Sequence, residues 1–103
     1  MPKYMFAYHG GKAPETPEEG RKVMAAWENW FGTLGQAIVD GGNPVGASST
    51  VTANGVMGDG GANPVAGYSL ITAPDMETAT TMAKGCPMLE DGGTVEVAEC
   101  LPM

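Results

Sequence analysis

His9 is the only histidine in the chain, and it closes the run Lys3–His9 (KYMFAYH) directly before Gly10-Gly11. An imidazole, with an ordinary pKa of about 6.5, is the side chain best suited to move a proton near neutrality. A carboxylate that orients it completes an acid–base pair, and Asp40 is the candidate because it ends the apolar stretch Ala37-Ile38-Val39 before Gly41-Gly42. A catalytic pair of His9 and Asp40 requires two strand ends to meet, within one subunit or across two. The structural alternative is a histidine bonded to a neighbouring loop and an aspartate that only makes a turn.

Asp40 also belongs to a repeat. The chain reads DGGNPVG at 40–46 and DGGANPVAG at 59–67, and a third Asp-Gly-Gly follows at 91–93. Consecutive glycines can aim backbone N–H groups into an anion-binding concavity. A phosphate loop adds a lysine and a helix immediately behind it, and neither follows Gly42 or Gly61. Turn formation at strand ends is the better reading of the repeat.

The remaining reactive types point away from covalent or metal chemistry. Cys86 follows the glycine that stops a helix, where the dipole disfavours a thiolate, and with Cys100 it reads as a packed, inert thiol. No HxH, HxxE or CxxC spacing occurs, so no metal site and no cofactor are expected. The eight methionines are scattered in the manner of gap fillers. Tyr4, Phe6 and Tyr8 recur at every second position of the first strand and, with Tyr68, are the candidates to line a ligand cavity. Trp27 and Trp30 read first as core residues, with a pocket wall as the alternative.

The elements that must position these groups follow from periodicity. Lys3–His9 alternates as a strand. Thr16-Pro17-Glu18-Glu19 opens a helix with a cap, a proline in the first turn and a capping-box glutamate. Val23, Trp27, Trp30, Phe31 and Leu34 then recur at three- and four-residue steps, which predicts a helix to Leu34 with Gly35 as its left-handed stop. Ala37–Val39 is a short strand ended by Asp40-Gly41-Gly42. Ser48–Met57 is a hairpin turning at Asn54-Gly55, and Gly67–Thr72 is a strand. Thr72-Ala73-Pro74-Asp75 opens a second helix through Lys84 with Met76, Ala79, Met82 and Ala83 inward, stopped by Gly85 and Pro87. Thr94–Cys100 closes the series as a strand whose Glu96 side is either wet or turned to a cavity.

Composition sets the class. The 103 residues suit one domain with one core, and 43% hydrophobic against 17% charged content is globular. Twelve acids against five bases give a net charge of −7. A nucleic-acid or anionic-membrane partner is therefore not expected. The opening Met-Pro-Lys-Tyr runs into a strand with no apolar leader, and two cysteines make no disulfide framework, so the expectation is a cytoplasmic protein.

Two helices crossing over one antiparallel sheet predict an α+β, ferredoxin-like sandwich with an inserted hairpin. One sheet face is left with apolar residues and no layer to cover it, so a second copy is expected there. At this point the pieces YMFAYHGG, AAWENWFGTLG and VDGGNP, and above all GYSLITAPDMETATTMAKGCPMLEDGGTVEVAE at 67–99, resemble the YCII-related, or DGPF-type, family of small bacterial proteins. The resemblance implies a homodimer in which two ferredoxin-like subunits pair sheet to sheet as an α+β barrel. It leaves function open between cofactor-free acid–base chemistry, of isomerase or lyase type, and non-catalytic binding of a small, partly apolar ligand. The namesake signature reads Asp59-Gly60-Gly61-Ala62 here, without its proline and aromatic, and no histidine stands near Ala25–Trp27 on the first helix. The family's helix histidine and its acidic partner thus have no counterpart at those positions.

Overall fold

A computed structural model describes all of residues 1–103. The elements are β1 (Lys3–His9), α1 (Pro17–Leu34), β2 (Ile38–Pro44), β3 (Thr50–Thr52), β4 (Gly55–Met57), β5 (Val65–Thr72), α2 (Met76–Ala83) and β6 (Thr94–Cys100). Short 3-10 segments, Gly35–Ala37 and Pro87–Asp91, follow the helices. The main sheet has the order β2-β5-β1-β6 with every pair antiparallel, and β3-β4 forms a separate hairpin. The chain is α+β, and its topology is compatible with a ferredoxin-like sandwich. No helix is long and apolar enough to cross a membrane.

Local chemistry explains both helix starts. Thr16 caps α1, its Oγ1 accepting from the Glu19 N–H at 3.1 Å, with Pro17 in the first turn. The Glu19 carboxylate reaches back one residue further than the expected box and accepts from the Glu15 N–H at 2.9 Å. At α2 the cap is Asp75 and not Thr72: Asp75 Oδ1 accepts the Thr78 N–H at 2.8 Å, a bond that holds its carboxyl below the usual carboxylate range. The residue nearer the helix wins because Pro74 keeps the chain extended until Asp75. The start moves by one turn, and Met76 therefore faces solvent at 43% exposure while Ala79 and Ala83 are buried.

The core lies between the sheet and the helices. Tyr4, Phe6 and Tyr8 point from β1 to the helix side, where Phe6 stacks on Trp30 at 5.9 Å between ring centroids and Tyr8 meets Trp27 edge-on at 4.9 Å. Trp30 Nε1–H donates to the Met82 carbonyl at 3.1 Å and so ties α1 to α2. Gly85 ends α2 for a different reason from the expected left-handed φ. It has no positive φ, and a Cβ there would stand 3.1 Å from the Trp30 ring, so its small size is what the site needs.

Two other expectations shift. The hairpin pairs Thr52 with Gly55, so its two-residue loop is Ala53-Asn54, one position before Asn54-Gly55. Asp40-Gly41-Gly42 does not end β2. The strand bulges there and resumes pairing through Asn43 to Tyr68 and Pro44 to Gly67. An edge strand tolerates such a bulge because only one side of it is paired.

The shape is flat, 43 × 42 × 19 Å, with both helices packed on one face of the sheet. The radius of gyration is 14.8 Å, against about 13 Å for a compact chain of this length. The β3-β4 hairpin, with Val51 at 76% and Val56 at 69% exposure, stands away from the core and accounts for part of the excess.

Candidate functional site

The Asp-Gly-Gly bulge shapes one wall of a cavity. Gly42 N–H donates to Asp40 Oδ1 at 2.8 Å, and in the second repeat Gly61 N–H donates to Asp59 Oδ1 at 3.1 Å. The same local turn forms twice because an aspartate carboxylate bonds the backbone two residues on while glycine takes the positive φ, here 75° and 86°. In the first copy this turn interrupts the pairing of the edge strand, and a gap lies between Gly41–Pro44 and α1.

That gap is a cavity of about 700 Å³. Its floor is the start of β5 with Tyr8, its roof is Val23, Met24, Trp27, Glu28 and Phe31 of α1, and its sides are Gly10–Pro14, Gly41–Pro44 and Met88. Trp27 meets both Tyr8 and Phe31, at 4.9 and 5.8 Å between centroids. The Tyr8 hydroxyl is committed inward: it donates to Ser69 Oγ at 2.7 Å, and Ser69 in turn donates to the Gly41 carbonyl at 2.7 Å. Burial raises the Tyr8 phenol well above its ordinary range. It is therefore a fixed neutral donor that ties the core to the bulge, and not a base near neutrality.

The four residues expected to line a cavity divide. Tyr8 lines it from the helix side, whereas Tyr68 borders it at the start of β5 with its ring, by register opposite Ala7, on the face away from the helices, where Asn43 Nδ2–H donates to its hydroxyl at 3.3 Å. Tyr4 and Phe6, at 3% and 0% exposure, are packed under the helices and do not line it. Strand alternation identified their shared face correctly, but only the position of α1 decides which end of that face stays open. Trp27, for which a pocket wall was the alternative reading, completes the wall together with Phe31 and Met88. The three- and four-residue steps marking Trp27 and Phe31 as inward were visible in sequence, whereas Met88 carried no signal.

His9 and Asp40 are not brought together within the subunit. Asp40 pairs with Leu70 on β5, whereas His9 pairs with Val65 near the opposite end of that strand and lies on the next strand over. The carboxylate that His9 does meet is Glu96 of β6, with Nε2 to Oε1 at 3.0 Å. Its Nδ1 lies 3.1 Å from the Asn63 carbonyl and 3.2 Å from that of Pro64. Both ring nitrogens thus face acceptors, an arrangement that an imidazolium satisfies fully and a neutral ring only on one side. Glu96 is found here by register, since it stands across from Ala7 and diagonal to His9 on the face away from the helices. His9 does not line the cavity under α1.

Cys86 is buried at 2% exposure, and that burial pushes its thiol up to about 11, which leaves it unreactive near neutrality. No group of three or more histidine, cysteine, aspartate or glutamate side chains converges to hold a metal ion. A search of protein-family models and of curated proteins finds no match to the chain.

Proposed function

We propose that this chain is a small-molecule-binding subunit that pairs through its open sheet face with a second copy, as in the YCII-related dimeric α+β barrels it resembles. The observation that carries the binding reading is the cavity under α1. Its volume of about 700 Å³ falls within the 300–1,000 Å³ typical of ligand sites, and aromatic walls with few polar groups are what such sites use. The ligand is small and partly apolar. No acid–base pair lines this cavity, so binding without catalysis accounts for it best.

A neutral polarity-sensitive dye such as phenylnaphthylamine should bind with enhanced fluorescence. Binding should fall at least roughly tenfold in Trp27→Ala, which removes a large stacking surface. A dye signal that is absent, or unchanged by that substitution, overturns the reading.

The pairing reading rests on surface. The subunit exposes 6857 Å², against about 5,500 Å² for a compact monomer of its mass. That excess exceeds the roughly 800 Å² each partner buries in a standard interface. Met5, Tyr68, Leu70 and Ala98 share the uncovered face by register. Light scattering should give twice the 10.6 kDa chain mass, and Leu70→Glu should shift it to one chain. A wild-type monomer at micromolar concentration overturns the shared barrel.

The second reading, a cofactor-free acid–base enzyme, is favoured by one observation: the His9–Glu96 pair at 3.0 Å on that same open face. In it Glu96 takes the orienting place that the sequence assigned to Asp40. Its substrate would have to enter between paired subunits, near the face on which this pair stands.

A further inference from the structure

We infer that the cavity under α1 selects a cationic ligand, an amine or quaternary ammonium group carried on an apolar body; the inference rests on the binding reading above and names its ligand class. Two charged residues line the cavity, Lys12 and Glu28. Lys12 is already answered from its own loop, with Nζ 3.7 Å from Glu15 Oε1. Glu28 has no cationic side chain within 4.0 Å, and it sits one position past Trp27 on the roof. The uncompensated charge at the cavity is therefore negative.

The apolar wall works in the same direction. Trp27 meets Tyr8 and Phe31 at steep angles, 84° and 62°. Rings set edge to face present differently oriented π surfaces to one volume, which is how aromatic cages hold ammonium groups. The chain as a whole carries a net charge of −7, so the long-range field also draws cations in and repels anions. An anionic ligand would face both this field and Glu28, with one already paired lysine to offset them.

The test uses three probes of similar size: phenyltrimethylammonium, its uncharged isostere tert-butylbenzene, and benzenesulfonate. Each is titrated against the full chain while tryptophan fluorescence is followed. The cation should bind roughly tenfold more tightly than the isostere and the sulfonate more weakly than either. In Glu28→Gln the preference for the cation over the isostere should fall by roughly threefold. Glu28 is exposed and makes no hydrogen bond in the core, so this variant keeps the fold. Equal binding of cation and isostere overturns the charge selectivity but leaves the binding reading standing. A cation preference that is unchanged in Glu28→Gln overturns the role of Glu28. Binding of none of the three overturns the inference and the binding reading together.

Discussion

Gly42→Ala should cost about 2–4 kcal/mol of folding stability in urea denaturation, while Gly41→Ala, one residue earlier, should change it by less than about 0.5 kcal/mol. Gly42 sits at φ 75°, where an added Cβ costs energy in its own right. The same Cβ would run into the Tyr68 carbonyl, its carbon at 2.6 Å and its oxygen closer still. Neither atom can yield, because Tyr68 is held in β5 between β1 and β2. Gly41 has an ordinary φ and nothing within 4 Å of its would-be Cβ. Because Gly41–Pro44 is also a wall of the cavity, Gly42→Ala should reduce dye binding even at low temperature where the chain remains folded. Equal stability of the two variants would mean that the bulge is not held as described.

Trp30→Ala should cost about 3–5 kcal/mol, a large part of the roughly 5–15 kcal/mol that a domain has in total. Trp30 is 5% exposed, stacks on Phe6 and on Phe31 at 5.5 Å, and joins the two helices through its bond to the Met82 carbonyl. Its removal leaves a cavity at the one place where β1, α1 and α2 meet. Trp30→Phe keeps the stack and loses the hydrogen bond, so its cost should be nearer 1–2 kcal/mol. Trp27→Ala, at a half-buried position that lines the cavity, should be milder on stability and stronger on ligand binding. Urea midpoints for the three variants, read beside dye affinity, separate the two tryptophans. If Trp27→Ala proves as destabilising as Trp30→Ala, Trp27 belongs to the core and the cavity wall is not what binds.

Much of the architecture was legible because its causes are local. Thr16-Pro17 and the spacing of Val23 through Leu34 bound α1 without reference to any other element, and the helix runs Pro17–Leu34 as they require. The repeated Asp-Gly-Gly is local too, since the carboxylate and the N–H it binds are two residues apart. The effect of each copy on the sheet is not local. At Asp40 the strand continues beyond the turn because β5 offers Asn43 and Pro44 partners, whereas the turn at Asp59 sits outside the sheet altogether.

The site depended on contacts between distant segments. His9 and Glu96 are 87 residues apart and meet only because β6 lies beside β1. Asp40 lost that place because β5 stands between β1 and β2. Alternation put Tyr4, Phe6 and Tyr8 on one face, yet the helices cover the first two and leave only Tyr8 at the cavity. The sequence by itself determined the extent of α1, the Asp-Gly-Gly turns and which residues of β1 share a face, since these arise from backbone preferences within a few positions. The tertiary structure alone decided which carboxylate faces the histidine and where a gap remains between α1 and the edge strand, because both depend on strand order and on how α1 lies over the sheet.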